Sequence, residues 1–131
     1  MLDCLFCKIR DGEIPGDIVY ENDYVLAFND INPVAPIHIL IIPKEHISTL
    51  NDLEENHTQT MGELFLAAKS IASKEGLSES GYRTVFNCNE DAQQTVFHIH
   101  LHLIGGRKMT WPPGYFKINK KRDTYANPSN G

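Results

Sequence analysis

The chain has no apolar run long enough to cross a bilayer. Its longest, Ile37 to Pro43, is interrupted by His38, whereas a membrane helix needs about 20 apolar residues. The start, Met1-Leu2-Asp3-Cys4, lacks a basic segment followed by an apolar core, so no secretory leader is expected. Cysteine is scarce: Cys4, Cys7 and Cys88. An odd count with two thiols in a Cys-x-x-Cys pair does not make a disulfide framework, and a reducing, cytoplasmic setting is expected. Positive charge is also in deficit. Twelve Lys and Arg against 17 Asp and Glu leave a net charge of -5, which argues against binding a nucleic-acid backbone. Neither a nucleic-acid nor a membrane partner is expected. A small phosphorylated ligand remains compatible, because helix termini and histidines can hold one phosphate. No internal repeat is present.

What remains is an ordinary globular composition, 41% hydrophobic and 22% charged over 131 residues, enough for one domain with its own core. Leu2 to Ile14 contains a short helix or turn ended by Pro15-Gly16. Ile18–Tyr20 and Tyr24–Asn29 read as strands around the turn Glu21-Asn22-Asp23. Asn32 to Pro36 holds two prolines and is a loop. His38–Pro43 reads as a buried strand. Leu50–Glu75 reads as a helix on the spacing of Met61, Leu64, Phe65, Ala68, Ile71 and Ala72, with Gly76 as its C′ residue. Arg83–Asn87 reads as a strand, Asn89–Gln94 as a polar loop, and Val96–Ile104 as a strand closed by Gly105-Gly106. Several strands, one main helix and two more strands give an α+β fold with a mostly antiparallel sheet and the helix on one face.

The feature with chemical content is His98-Ile99-His100-Leu101-His102. On a strand, alternate side chains share a face. Three imidazoles therefore line one side, successive ones roughly 6.5–7 Å apart, while Ile99, Leu101 and Leu103 anchor the other. A strand whose polar face happens to be histidine is one reading. A metal hydrolase is a second, since His-x-His on a strand can ligate zinc. Nucleophilic catalysis by imidazole, with neighbouring histidines supplying protons and charge, is a third.

His98 through Ile104 matches, position by position, the His-φ-His-φ-His-φ-φ signature, and the chain resembles the histidine triad family. More narrowly it resembles the nucleotide-binding, purine nucleoside phosphoramidase branch. The resemblance runs from about Cys4 to Gly114 and includes Asp30-Ile31-Asn32-Pro33, Ala35-Pro36-Ile37-His38, Ile42-Pro43-Lys44-Glu45-His46, Gly105-Gly106-Arg107-Lys108-Met109 and Trp111-Pro112-Pro113-Gly114. It implies a five-stranded, mostly antiparallel sheet and a homodimer with a continuous sheet. It also implies a histidine triad domain over residues 1–116; the segment 117–131 beyond it is polar and basic, rich in Asn, Lys and Pro, and by composition reads as an extension, either a flexible end or a dimer-contacting arm.

By the same resemblance His100 is the nucleophile, attacking the α-phosphorus of a nucleoside 5′-phosphoramidate or related adenylylated compound. A nucleotidyl-histidine forms, and water hydrolyses it to the nucleoside monophosphate. His102 binds the phosphate oxygens, His38 is the fourth histidine of the cluster, and Thr95 lies near the bridging or leaving-group oxygen. Asn87 and Gln94 line the phosphate site, and Asp30 holds the ribose hydroxyls. Leu5, Phe6, Ile9, Phe28, Ile31 and Leu40 form the slot for a purine base, and Trp111 belongs to the substrate-binding set. Gln93 and Asn89 stand where the family commonly has glycine; asparagine tolerates left-handed backbone better than most residues. Cys4, Cys7, His46 and His98 match the zinc ligands of some members, a closed Cys₂His₂ set and hence a structural zinc, with no catalytic cofactor. Cys88 is unmatched and reads as a small buried hydrophobe. Other functions stay open: a dinucleoside polyphosphate hydrolase, a nucleotide-binding scaffold working through partners, or a metalloenzyme using all three histidines of the strand.

Overall fold

Five antiparallel strands form one sheet in the computed structural model, which describes residues 3–114 and Phe116. The extension 117–131 lies outside the described residues. The elements run α1 (Leu5–Arg10), β1 (Ile18–Glu21), β2 (Val25–Asn29), β3 (Ile37–Pro43), α2 (Thr58–Lys74), β4 (Tyr82–Val85) and β5 (Leu101–Gly105). Their order across the sheet is β1-β2-β3-β5-β4. The β1–β2 turn forms where expected: the Asn22 side-chain oxygen accepts from the Tyr24 and Val25 N–H groups at 2.8 and 3.0 Å, an Asx turn.

Each sheet face has its own core. Val25, Ala27, Ile39, Ile41, Leu101 and Leu103 pack under Leu64, Ala67, Ala68, Ile71 and Ala72 of α2. Leu26, Phe28, Leu40 and Ile42 point the other way and meet Cys4 and Phe6 at α1. Because Leu40 pairs with His102 across the β3–β5 ladder, the histidines lie on the α1 face, away from the main helix. The period-two pattern thus separates core from chemistry.

Three elements differ clearly in extent from the sequence expectation. The helix begins at Thr58, not Leu50; residues 50–52 and 55–57 form single 3₁₀ turns. Thr49 and Asp52 make a reciprocal capping box. The His57 ring accepts the Glu54 N–H at 2.9 Å and lies 3.0 Å from Glu45 Oε2, which sets the true start. Within α2, Phe65 is half exposed instead of buried, meeting Phe86 edge-on, and Ala67 takes the inward position. The C-terminal reading of Gly76 is correct. It is left-handed at φ 75°, and Leu77 N–H reaches Ala72 O at 2.8 Å while Gly76 N–H reaches Ser73 O at 3.1 Å, a Schellman motif.

The histidine strand is regular only from Leu101, not from Val96. Its partner β3 ends at Pro43, which has no N–H to extend the ladder. Upstream of Leu101 the chain is held by other bonds: Ile99 N–H donates to Ile47 O at 2.8 Å, and the His98 ring reaches Pro43 O at 2.8 Å. The strand Arg83–Asn87 is likewise shorter, ending at Val85.

Candidate active site

The three histidines share a side of the chain but have separate hydrogen-bond partners, and those partners define their tautomers. His100 Nδ1 lies 2.8 Å from the carbonyl oxygen of His98. A carbonyl only accepts, so Nδ1 carries the proton and Nε2 keeps a lone pair. The ring is buried and lines a cleft of about 480 Å³.

His102 is set by a relay. The Val34 N–H donates to His38 Nδ1 at 3.1 Å, so neutral His38 carries its proton on Nε2. That proton faces His102 Nδ1 at 2.9 Å, with Asp30 Oδ2 a second, longer acceptor at 3.3 Å. His102 therefore accepts at Nδ1 and carries its proton on Nε2; Asn87 Nδ2 is placed 3.5 Å from that nitrogen, so the Asn87 amide must turn its oxygen toward the N–H to accept from it. One histidine presents a lone pair to the cleft wall and its neighbour an N–H. Their ring centroids are 5.0 Å apart.

Burial lowers the pKa of His38, His100 and His102, the last to about 4, so the neutral forms prevail at pH 7. Asp30 opposes the effect at His38. These depressed values carry a sign for stability. The unfolded chain binds protons below about pH 6.5 while the folded rings do not, so stability is full above that pH and declines toward pH 4. Chemical unfolding from pH 8 to 4 is expected to show a plateau and then a fall, each ring contributing up to ~1.4 kcal/mol per pH unit. A His102→Asn variant should have a shallower slope.

Around the cleft stand Leu5, Phe6, Ile9, Phe28, Asp30, Ile31, Leu40 and Thr95, all expected from sequence, with His100 and His102. Ile31 is 91% exposed, so it is a rim residue with no role in the core. Asp30 holds its position by an Asx turn, Oδ1 accepting from Asn32 N–H at 2.8 Å. Val96 follows Thr95 in the wall, and Pro15, Gly16, Asp17 and Asn29 complete it. These four come from the α1–β1 loop and the end of β2, and no residue-type pattern marks them in the sequence. Four expected residues do not line the cleft: His38 and Asn87 stand against the His102 ring, and two others lie farther off. Gln94 is buried, its amide donating to Ser48 O at 2.8 Å and Val96 O at 3.1 Å while its oxygen accepts from Asn89 N–H at 2.9 Å. It braces the loop before Thr95. Trp111 lies outside this cleft, beside a separate hollow with Thr110 and Pro112, under the Arg83 guanidinium at 5.8 Å. Asn89 and Gln93, the two positions where glycine is common in the family, are both left-handed, at φ 65° and 64°. The loop keeps the glycine conformation at a cost of about 1–2 kcal/mol per residue, offset by the Gln94 bonds and by Gln93 N–H to Glu90 O at 2.9 Å.

His98, on the same side, lies outside the cleft and belongs to a separate cluster with Cys4, Cys7 and His46. Its Nε2–H donates to Pro43 O, which leaves Nδ1 with a lone pair. That atom lies 3.4 Å from Cys4 Sγ, 3.5 Å from Cys7 Sγ and 3.2 Å from His46 Nδ1, and Cys7 Sγ lies 3.4 Å from His46 Nδ1. A tetrahedral zinc with two sulfur and two nitrogen ligands has donor–donor edges of about 3.3–3.8 Å. The four residues thus fit a Cys₂His₂ metal site. Burial and the adjoining Cys4 push the Cys7 thiol up to about 11; coordination to a cation would reverse this. A second cluster, Asp30, His38 and His102, fits a metal poorly, because the Val34 N–H bond puts a proton on the His38 nitrogen that would have to ligate. The three histidines of the strand do not converge on one point, which removes the geometric basis for a metalloenzyme built on all three.

The antiparallel sheet, the single packed helix and the divided histidine triad define a HIT fold, and the chain belongs to the HIT domain family, which matches residues 11–109. Over 107 residues it is 50% identical to purine nucleoside phosphoramidase of Escherichia coli, covering 82% of this chain and 90% of that protein. Over 112 residues it is 53% identical to the 14 kDa zinc-binding protein of Zea mays, covering 84% and 87%. Among solved structures, a HIT family hydrolase from Legionella pneumophila superposes with a TM-score of 0.84 at 56% identity, covering 86% of this chain and all of that one. Among the described residues no helix is long and apolar enough to cross a membrane.

Proposed function

We propose that the protein hydrolyses nucleoside 5′-phosphoramidates and related adenylylated compounds to the nucleoside monophosphate through a covalent intermediate on His100. One observation carries this reading: the 2.8 Å bond from His100 Nδ1 to the His98 carbonyl, which leaves Nε2 as a neutral, buried nucleophile on the cleft wall. Nε2 attacks the α-phosphorus; the N–P bond to His100 forms as the bond to the leaving amine breaks, and the amine departs with a proton taken from solvent, which the water that attacks in the second step returns. The imidazolium so created keeps its Nδ1–H on the His98 carbonyl, which stabilises the positive charge. His102 Nε2–H donates to a phosphate oxygen as negative charge builds there, with Asn87 beside it and Thr95 toward the leaving group. Water then attacks phosphorus, the His100 bond breaks, and the monophosphate leaves.

The apolar slot of Phe6, Ile9, Phe28 and Leu40 suits a purine base, and Asp30 at the rim suits the ribose hydroxyls, since a carboxylate only accepts. Zinc bound by Cys4, Cys7, His46 and His98 is structural in this reading, because all four positions of a tetrahedron are filled by protein. The location is cytoplasmic, consistent with three free cysteines. A homodimer that continues the sheet is supported by β4, which has an open edge among the described strands, and by the exposed Phe65 and Leu66 on α2.

Rates on adenosine phosphoramidate and on diadenosine polyphosphates, measured side by side, test the substrate class. The expected result is a larger kcat/KM for the phosphoramidate. A larger value for the polyphosphate would make the protein a dinucleoside polyphosphate hydrolase instead.

A further inference from the structure

Helix α1 serves two sites at once. Cys4 and Cys7 direct their sulfurs into the Cys/His cluster, while Leu5 and Ile9 line the cleft. Phe6 lies between: its ring meets Phe28 at 5.4 Å, His100 at 5.0 Å and His98 at 6.1 Å, each edge-on. With six residues, α1 is far too short to be stable by itself. Its C-terminal end is tied by Arg10 to the Lys44 carbonyl at 2.6 Å. Its N-terminal end is held by the Cys4 sulfur, which accepts the Cys7 N–H at 3.2 Å. The cleft and a second hollow beside Cys4 and His46 share Leu5, Thr95 and Val96 as a common wall.

We propose that Cys4, Cys7, His46 and His98 form a positioning site for the nucleotide cleft, so that a metal ion held there and a nucleotide in the cleft raise each other's affinity through α1 and Phe6. This rests on the reading of the cleft as a nucleotide slot. Fixing the two sulfurs fixes the helix that carries Leu5, Phe6 and Ile9, and fixing the His98 ring steadies the backbone carbonyl that holds His100 Nδ1. The same contacts act in reverse: a base seated against Phe6 and Ile9 orders the helix and gathers the four donor atoms. Linkage requires the two effects to be equal.

The test uses the full chain, zinc-loaded and chelator-stripped, at a temperature where circular dichroism shows both folded. AMP is titrated by calorimetry into each form, and zinc is titrated against a chromophoric chelator with and without saturating AMP. About tenfold tighter AMP binding with zinc, and the same factor for zinc with AMP, is expected, within the usual ~5–150-fold range of site–site coupling. Equal AMP affinity in the two folded forms overturns the coupling and leaves the nucleotide reading intact. Failure of AMP to bind either form removes both. Failure of the chain to take up stoichiometric zinc removes the coupling alone. If the stripped protein does not fold, cobalt-loaded protein decides: its ligand-field absorption should shift as AMP saturates the cleft, and a Phe6→Leu variant should lose that shift. An unchanged cobalt spectrum in the unaltered chain overturns the proposal.

Discussion

Replacing His100 with glutamine is expected to leave a folded protein that binds AMP and scarcely turns over. The glutamine side chain is uncharged, polar and similar in size, so the backbone and the neighbouring Phe6 keep their places, although its amide takes the position of Nε2 and not of Nδ1, which bonds the His98 carbonyl at 2.8 Å. What disappears is a nitrogen lone pair able to form a bond to phosphorus. Removing the nucleophile from a group that acts as a unit costs on the order of 10⁴-fold or more in kcat. AMP affinity should change by only a few-fold, because Phe28, Leu40 and Asp30 are untouched. Calorimetry and steady-state rates on one preparation separate the two effects. Substantial residual turnover would mean that water attacks phosphorus directly.

His38→Ala is expected to have the next largest effect, although His38 makes no hydrogen bond to His100, the proposed nucleophile. Its Nε2–H holds His102 Nδ1 at 2.9 Å, and its Nδ1 satisfies the Val34 N–H. Without it, His102 is free to carry its proton on Nδ1 and to turn a lone pair toward the phosphate, where a donor is needed. The loss of a correctly protonated partner of this kind typically costs about 10²–10⁴-fold. The Val34 N–H also loses its acceptor, which should lower stability by about 0.5–1.5 kcal/mol. The kinetic loss should fall on kcat more than on KM. Nitrogen-15 spectra of the His102 ring should show the Nε2-protonated tautomer in the original chain and a mixture in the variant.

Much of this arrangement is legible in the amino-acid sequence. Alternation places His98, His100 and His102 on one side and Leu101 and Leu103 in the helix-covered core, and β1 to β3 lie within a residue or two of their expected limits. The differences have local causes. Apolar spacing in α2 starts only at Met61, and nothing in that spacing reports that His57 bonds to Glu54 and Glu45 and ends the preceding turns. The irregular approach to β5 depends on Pro43, 55 residues away from His98, so the His98–His100 segment reads as ordinary strand. Gln94 is assigned to the phosphate site by the family resemblance. Its actual partners, Ser48 O and Val96 O, are backbone groups, which residue type does not assign. The same holds for the tautomers: the partner that orients each ring is a carbonyl, a backbone N–H or another histidine brought in by the fold.

Chemical trapping tests the central claim most directly. Enzyme mixed with an adenosine phosphoramidate substrate, quenched in the steady state and digested should yield a peptide containing His98, His100 and His102 that is heavier by one adenylyl group. Fragmentation should place the added mass on His100, and the adduct should be missing from the His100→Gln protein. An adduct on His102, or none in the unaltered enzyme or in variants slowed at hydrolysis of the intermediate, would contradict covalent catalysis by His100.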